Sequence, residues 1–424
     1  MGQSVYVEAY GCSASLADSE MIMGLLQRSD FNLASSPQEA DVNVIVTCTV
    51  KTVTSQRMAH RIQSLTNLGK PLVVAGCMPK TEKSIIEKIN PLATLLGPNT
   101  VDRAVDAVNS ALARERAVLI EDSATPKVGL PRFRVNPIVG IVEISTGCLS
   151  SCTFCQVRIA KGVVRSFPPA EIVKEVQQSV AEGCSEIWVT STDNSCYGRD
   201  IGSSLPELLR MICDVQGSFF VRVGMMNPLL TKKMIRELLE VYRQPRIFKF
   251  LHIPVQSGSN RVLKMMRRGY QVEDFTRLVD IAKNSIPEIT ISTDIIVGFP
   301  SETEEQLQET VELIRKTRPD VVNLSRYGAR PGTLAAELPQ LDGMTVKRRS
   351  NTLHRTIKEV QLENNKRWIG WTGEVLIDEE VKGAMVGRNF AYKPIVIKGR
   401  VPLGRVLKVK VKNATSSCLA GEPV

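Results

Sequence analysis

The chain is expected to fold as an α/β protein in three parts: an N-terminal doubly wound parallel sheet, a central partial (β/α)6 barrel and a small C-terminal β-barrel. Three observations predict this. Short apolar strands alternate with helical patterns across the N-terminal third, and again from Ile138 to Tyr327. Such repetition gives right-handed crossovers and parallel sheets. Beyond Trp371 the period falls to two, as in Val406-Leu407-Lys408-Val409-Lys410-Val411, which fits strands with one face in a core and the other basic. At 424 residues and 43% hydrophobic content there is ample core for two to four domains. The expected divisions are 1–115, a linker at 116–136, the barrel at 137–340, a linker helix at 341–365 and a last domain at 366–424.

In the first part, Val5–Tyr10 reads as a strand before a helix near Ala17–Arg28. Val42–Val46 precedes a helix near Val53–Leu68, and Leu72–Ala75 precedes one near Lys80–Ile89. Cys12, Cys48 and Cys77 each fall just past the carboxyl end of one of these strands. Parallel strands bring those ends to one edge of the sheet, where open α/β folds bind ligands. Three cysteines far apart in sequence can therefore meet in space; the alternative is three unrelated buried thiols.

In the second part the candidate strands are Ile138–Ser145, Glu186–Thr192, Phe219–Met226, Ile247–Val255, Ile289–Val297 and Val321–Tyr327. Helical patterns lie between them, for example Ala170–Ala181, Leu229–Tyr242, Asp274–Lys283 and Glu302–Thr317. Six units are fewer than the eight that close a barrel, so a side opening remains, wide enough for a macromolecular substrate. Polar groups gather at the strand ends: Cys148–Cys155, Ser191-Thr192-Asp193-Asn194, Asn227, Gln256-Ser257 and Gly298.

The loop Cys148-Leu149-Ser150-Ser151-Cys152-Thr153-Phe154-Cys155 carries the most specific signal. Its C-x3-C-x2-C spacing supplies three thiolates and no fourth. A structural zinc site wants four ligands, usually as two separated pairs. A [4Fe–4S] cluster on three thiolates keeps one iron free for an outside ligand, an arrangement suited to chemistry. The alternatives are reduced core thiols and half a disulfide framework. With no apparent signal peptide, the chain is expected in a reducing cytoplasm, which argues against disulfides. No apolar run reaches the length of a membrane span, and Tyr6 breaks the myristoylation pattern that Gly2 could begin.

The charge is uneven. Of a net +10, the segment from Lys366 onward carries 11 Lys/Arg against 5 Asp/Glu, 11 − 5 = +6, which points to a polyanion or to a solvated surface. Leu341–Lys366, with Lys347, Arg348, Arg349, His354, Arg355 and Lys358, reads as a basic amphipathic helix whose charges form a solvated face. Short strands with glycine turns then suggest a closed barrel that binds oligonucleotides, with Arg388, Phe390, Tyr392, Lys393, Lys408 and Lys410 on its binding surface. The alternative is a solubilising cap.

With these residues in view, the chain resembles a radical S-adenosylmethionine (SAM) enzyme of the methylthiotransferase family. The resemblance rests on the C-x3-C-x2-C loop and on Tyr10-Gly11-Cys12, Val46-Thr47-Cys48-Thr49-Val50-Lys51 and Ala75-Gly76-Cys77-Met78-Pro79. The C-terminal barrel resembles the family's TRAM domain, an RNA-binding module. Three further stretches resemble the archaeal and eukaryotic branch that acts on N6-threonylcarbamoyladenosine in tRNA: Arg222–Pro228, Phe250–Gly258 and Ser325–Thr333. Sister branches act on isopentenyladenosine in tRNA or on an aspartate of a ribosomal protein, and a non-enzymatic iron–sulfur RNA-binding protein is the alternative from another class.

The resemblance implies two [4Fe–4S] clusters, one on Cys148, Cys152 and Cys155, the other on Cys12, Cys48 and Cys77. It implies SAM held at the first, with Phe154, Ser191, Asp193, Gln256, Ser257 and Gly298 as contacts. It also implies an external electron donor and a tRNA substrate whose adenine C2–H is activated by a 5′-deoxyadenosyl radical. Members of the family often carry Asn where Ser15 stands, and often read Arg-Gly…Arg-Ser-Arg-Pro where this chain has Lys161-Gly162-Val163-Val164-Arg165-Ser166-Phe167-Pro168. The second departure is expected to reduce charge near the RNA path. Cys184, Cys196, Cys213 and Cys418 are expected to be structural.

Overall fold

A computed structural model describes residues 2–49, 52–123 and 125–424. Val50 and Lys51 of the second cysteine stretch lie outside the described residues. The first part is an all-parallel sheet of six strands in the spatial order Asn32–Leu33, Ser4–Ala9, Val42–Thr47, Leu72–Gly76, Thr94–Leu96 and Val118–Leu119. Helices cover both faces. Ser13–Arg28 and Ala104–Leu112 pack with Val5, Val44 and Val73 on one side. On the other, Thr52–Thr66 and Lys83–Ile89 pack with Ile45, Val74 and Leu95. Three of the six strands are too short for their periodicity to show in sequence. One of them, Val118–Leu119, falls inside the expected linker and is a sheet edge instead.

The strand order reverses between Ser4–Ala9 and Val42–Thr47, which makes the crevice at their carboxyl ends the topological switch point. Cys12 and Cys48 follow these two strands and Cys77 follows the next neighbour. The sheet's connectivity therefore gathers the three cysteines.

The central part keeps all six expected parallel strands. Val139–Thr146, Glu186–Ser191 and Phe220–Val223 form one sheet, with an antiparallel edge strand Arg165–Ser166. Phe250–His252, Thr290–Val297 and Val321–Arg326 form the second. A bridge between Val221 and Ile247 and a bond from Met226 N to His252 O (2.9 Å) join them into one open curve. The long strand expected over Ile247–Val255 is only three residues. Pro254 has no N–H to offer the ladder, and Gln256 sits at a left-handed φ of 71° that ends the extended run. Ile138, Val139 and Ile141 share a core with the helix Ser13–Arg28, so the first two parts meet on apolar surface. Among the described residues no helix is long and apolar enough to cross a membrane.

The helix Gly343–Lys366 straps the central part through buried Leu353, Ile357 and Val360. One of its charges is not on a solvated face as expected: Arg349 is buried and donates to Glu302 O (2.6 Å) and Glu302 Oε2 (3.2 Å). The last part is a closed five-stranded barrel, Thr372–Val381, Ala384–Arg388, Pro394–Ile397, Leu419–Pro423 and Val406–Ala414, around Val375, Ile377, Ile395, Val409 and Val411.

Four of the six expected RNA contacts are engaged within the protein, two across the seam to the central part and two inside the last domain, and this corrects the sequence reading. Lys393 is buried and bonds Asp320 (2.8 Å) and Asn365 (3.1 Å). Tyr392 OH donates to Glu186 Oε1 (2.8 Å). Arg388 stacks on the Tyr392 ring and bonds Asp378 (2.8 Å) and Glu379 (3.1 Å). Phe390 packs against Trp368 and Trp371. Interleaved aromatic and basic residues serve a domain seam as well as a nucleic-acid face, because both pair rings with cations. Lys408 and Lys410 are exposed on the outer face of Val406–Ala414, as expected.

Candidate functional site

Two of the cysteine loops leave their strands through a glycine whose backbone and surroundings disfavour any side chain. Gly11 has φ +126°, and a Cβ there would lie 2.8 Å from Cys48 Sγ. Gly147 has φ +73° and would drive a Cβ into the Val163 carbonyl. Both positions combine a left-handed backbone with close approach of a second chain segment. Cys12 is thereby brought against Cys48, and Cys148 opens its loop against the edge strand.

One cysteine of each trio, Cys77 and Cys155, borders a cavity of about 340 Å³. Cys77 and Thr49 line it from the N-terminal sheet, and Cys155, Phe154 and Gln156 from the central loop. His252, Gln256, Asp294, Asn323, Ser325, Arg326 and Arg330 complete the wall from the ends of the barrel strands. Arg330 is buried and forms an ion pair with Glu82 (3.5 Å), which pins the barrel loop to the N-terminal part. Ser13 Oγ and Thr190 Oγ1 (2.6 Å) make a second tie between the parts.

The central loop offers its sulfurs a donor each. Ser150 N donates to Cys148 Sγ (3.3 Å), Arg268 Nη1 to Cys152 Sγ (3.2 Å) and Val157 N to Cys155 Sγ (3.4 Å). Arg268 is itself buried and held by Tyr270 OH (3.1 Å) and Pro254 O (3.2 Å). Donors aimed at sulfur, one of them a cation, fit thiolates that carry an iron–sulfur group, whose potential such bonds tune. Without a metal, burial pushes the Cys155 thiol up to about 12. Cys148 moves the other way, to about 7, chiefly through a hydrogen bond with Cys196. Cys196, expected to be merely structural, is fully buried beside the loop, and its Sγ, Cys148 Sγ and an Asp193 oxygen lie within 4.8 Å of one another.

The N-terminal trio has a different electrostatic setting. Cys12 is exposed, Cys48 buried and Cys77 half-buried. Ser15 Oγ lies 3.7 Å from Cys12 Sγ, beside the cysteines as its position in the sequence implied. Burial raises Cys77 to about 11, while its contact with Cys48 lowers Cys12. Lys161 acts on both thiols from a wholly buried network: Lys161 Nζ bonds Glu143 Oε1 (3.1 Å), Lys127 Nζ bonds Glu143 Oε2 (3.1 Å), and Lys127 Nζ also bonds Asp18 Oδ1 (2.6 Å). Lys161 therefore does not stand on an RNA path. It ends the short helix after Cys155, and Asp18 lies on the helix after Cys12, so the four charges link the two loops.

Of the six expected SAM contacts, Phe154 and Gln256 line the cavity. Gln256 is buried there with no hydrogen-bond partner for Oε1. Ser191 is half-buried and bonded to Asn194 (2.9 Å). The other three have structural partners in place of a cavity wall. Asp193 accepts from Ser195 N (3.0 Å), Ser195 Oγ (2.5 Å) and Asn227 N (3.0 Å). Ser257 Oγ accepts from Ser259 N (3.2 Å), and Gly298 faces Val346 and donates to Glu302 (2.9 Å). Arg268 and the Lys161 network carry no local sequence signal. Arg326 and Arg330 fall in a stretch already singled out, Ser325–Thr333.

Two family models match the chain: the Radical SAM superfamily over residues 142–314, and uncharacterized protein family UPF0004 over 4–97. The chain is 40% identical over 423 residues to a probable threonylcarbamoyladenosine tRNA methylthiotransferase of Pyrococcus horikoshii, covering 99% of each. It is 42% identical to the Archaeoglobus fulgidus protein of that name, covering 99% of this chain and 98% of the relative. It is 36% identical to the threonylcarbamoyladenosine tRNA methylthiotransferase of Drosophila melanogaster, covering 99% and 77%. Among solved structures, the cobalamin-bound radical SAM methyltransferase TsrM from Kitasatospora setae superposes with a TM-score of 0.58 at 15% identity, over 79% of this chain and 77% of that one. At that identity the likeness speaks for the fold.

Proposed function

For a chain that belongs to the threonylcarbamoyladenosine tRNA methylthiotransferase family, we propose that the reaction replaces the C2 hydrogen of N6-threonylcarbamoyladenosine, next to the tRNA anticodon, with a methylthio group. That C–H bond is neither acidic nor readily displaced, so acid–base side chains have nothing to work on. Cys148, Cys152 and Cys155 would hold a [4Fe–4S] cluster, which would supply reductive cleavage of SAM, a step no side chain offers. An external electron donor is required, one SAM would take up the C2 hydrogen as 5′-deoxyadenosine, and a second SAM would supply the methyl group.

The residues have separable tasks. Arg268 and the two backbone N–H groups stabilise the thiolates of the central loop. Phe154 and Gln256 hold SAM against it. Cys12, Cys48 and Cys77 would hold a second cluster, which would supply the sulfur chemistry, and Lys161 would offset its negative charge. The exposed cations of the last barrel, Lys398, Arg400, Arg405, Lys408 and Lys410, grip tRNA phosphates. The observation that carries the reading is the shared cavity: Cys77 and Cys155 face the same space, so an adenine ring placed there lies next to both loops.

Mass spectrometry of tRNA nucleosides from cells lacking the gene tests this. The expected result is loss of 2-methylthio-N6-threonylcarbamoyladenosine with accumulation of its unthiolated precursor. Unchanged levels of both would overturn the substrate assignment.

A further inference from the structure

The substituent on N6 is a threonine joined through its nitrogen to a carbamoyl group, which leaves a free carboxylate. Recognition of an anion in a half-enclosed cavity calls for a cation without a counter-charge of its own. The cavity wall holds two arginines, and one is already neutralised: Arg330 is paired with Glu82. Arg326 lines the same cavity, is exposed, and makes no hydrogen bond or ion pair among the described residues.

The strand Val321–Arg326 places its neighbours. It pairs in parallel with Thr290–Val297, setting Asn323 beside Asp294, Ser325 beside Ile296 and Arg326 beside Val297. Asp294 accepts from Asn323 Nδ2 (2.7 Å) and lies 3.1 Å from His252 Nε2, so the carboxylate fixes an amide and an imidazole at the cavity wall. Two further buried groups that line this cavity, Gln256 Oε1 and Arg330 Nη2, have no hydrogen-bond partner. Buried polar atoms are normally satisfied, so a wall with two orphaned ones is built for a polar ligand. With Gln256 taken by SAM, an isopentenyl group, all carbon and hydrogen, would offer no partner to Arg326 or to Arg330 Nη2.

Resting on the substrate reading above, we infer that Arg326 pairs with the carboxylate of the N6 substituent, with His252, Asn323 and Ser325 lining that subsite. A guanidinium matches a carboxylate with two parallel N–H···O bonds, which gives orientation as well as attraction. The ion pair would set the ring's rotation in the cavity and so decide which ring carbon meets the cysteine loops.

The test compares two anticodon stem-loops in the reconstituted holoenzyme, one with N6-threonylcarbamoyladenosine and one with the same residue as its carboxyl methylamide. The ratio of their kcat/KM values is unaffected by the active fraction of a preparation. Wild type is expected to prefer the free carboxylate by roughly 10- to 100-fold, R326Q by less than about threefold, and R326K by an intermediate factor. An R326Q variant that keeps the wild-type ratio, or a wild type with no preference, overturns the subsite. A wild type inactive on both oligonucleotides but active on an isopentenyladenosine stem-loop overturns the substrate reading, and the subsite with it.

Discussion

Replacing Glu143 by leucine should be among the most damaging single changes outside the cysteine loops. The carboxylate is 1% exposed and holds two ammonium groups at 3.1 Å each, Lys127 and Lys161. Lys127 would keep Asp18 at 2.6 Å. Lys161 would lose its sole ion pair among the described residues. Burial alone would push the Glu143 carboxyl up, but the two lysines outweigh it and hold it at about 2, against an ordinary 4.5. That difference of 2.5 corresponds to about 3 kcal/mol. Leaving one partner of a buried pair uncompensated costs a similar ~3–5 kcal/mol. The E143L/K161M double variant removes both charges and should recover about 2 kcal/mol or more of that loss.

Urea unfolding of wild type, E143L, K161M and the double variant, followed by fluorescence under anaerobic reducing conditions, reads these differences. The sign with pH follows from the depressed carboxyl. Its stabilisation is complete above the ordinary 4.5 and is lost as pH falls toward about 2, whereas Asp18, raised by burial, acts in the opposite sense. A cost for E143L below about 1 kcal/mol, or a double variant whose cost is the sum of the singles, would refute the view that this network is a compensated unit.

Three further outcomes are expected. Burial, then Asp378, raises Glu186 in the domain seam to about 7. Its stabilising protonated form is fully present below the ordinary 4.5 and lost as pH rises through about 7, at about 3 kcal/mol. E186Q should therefore flatten the thermal stability curve over that range, and an unchanged slope would contradict the burial argument. K408A/K410A should weaken tRNA binding and reduce the salt slope of the affinity by about 1.5–2, as read by filter binding across ionic strengths; a slope equal to wild type would place the RNA elsewhere. Lys393→Ala should do the reverse, lowering the melting temperature while the salt slope stays, since Lys393 is buried against Asp320.

What the sequence could show depended on how local each signal was. The cysteine loops were legible because each trio follows from short-range spacing or from strand ends that parallel topology must gather. The strands Thr94–Leu96 and Val118–Leu119 were not, because two or three residues carry no period. Arg268 lies 116 residues from Cys152, whose sulfur it bonds, and the Lys161–Glu143–Lys127–Asp18 network assembles charges from four separate segments. No local pattern encodes either. The RNA surface was misread at Arg388, Phe390, Tyr392 and Lys393 because a basic, aromatic run looks the same whether it meets phosphate, its own domain's Asp378 and Trp371, or the Glu186 and Asp320 of a neighbouring domain.

The central claim is two three-cysteine iron sites facing one cavity, and iron counting with product analysis tests it most directly. Anaerobically reconstituted wild type should hold about eight irons per chain, and triple alanine variants of either trio about four. The variant lacking Cys12, Cys48 and Cys77 should still turn SAM into deoxyadenosine but form no methylthio product. A wild type saturating at about four irons, or methylthio product from that variant, would contradict the account.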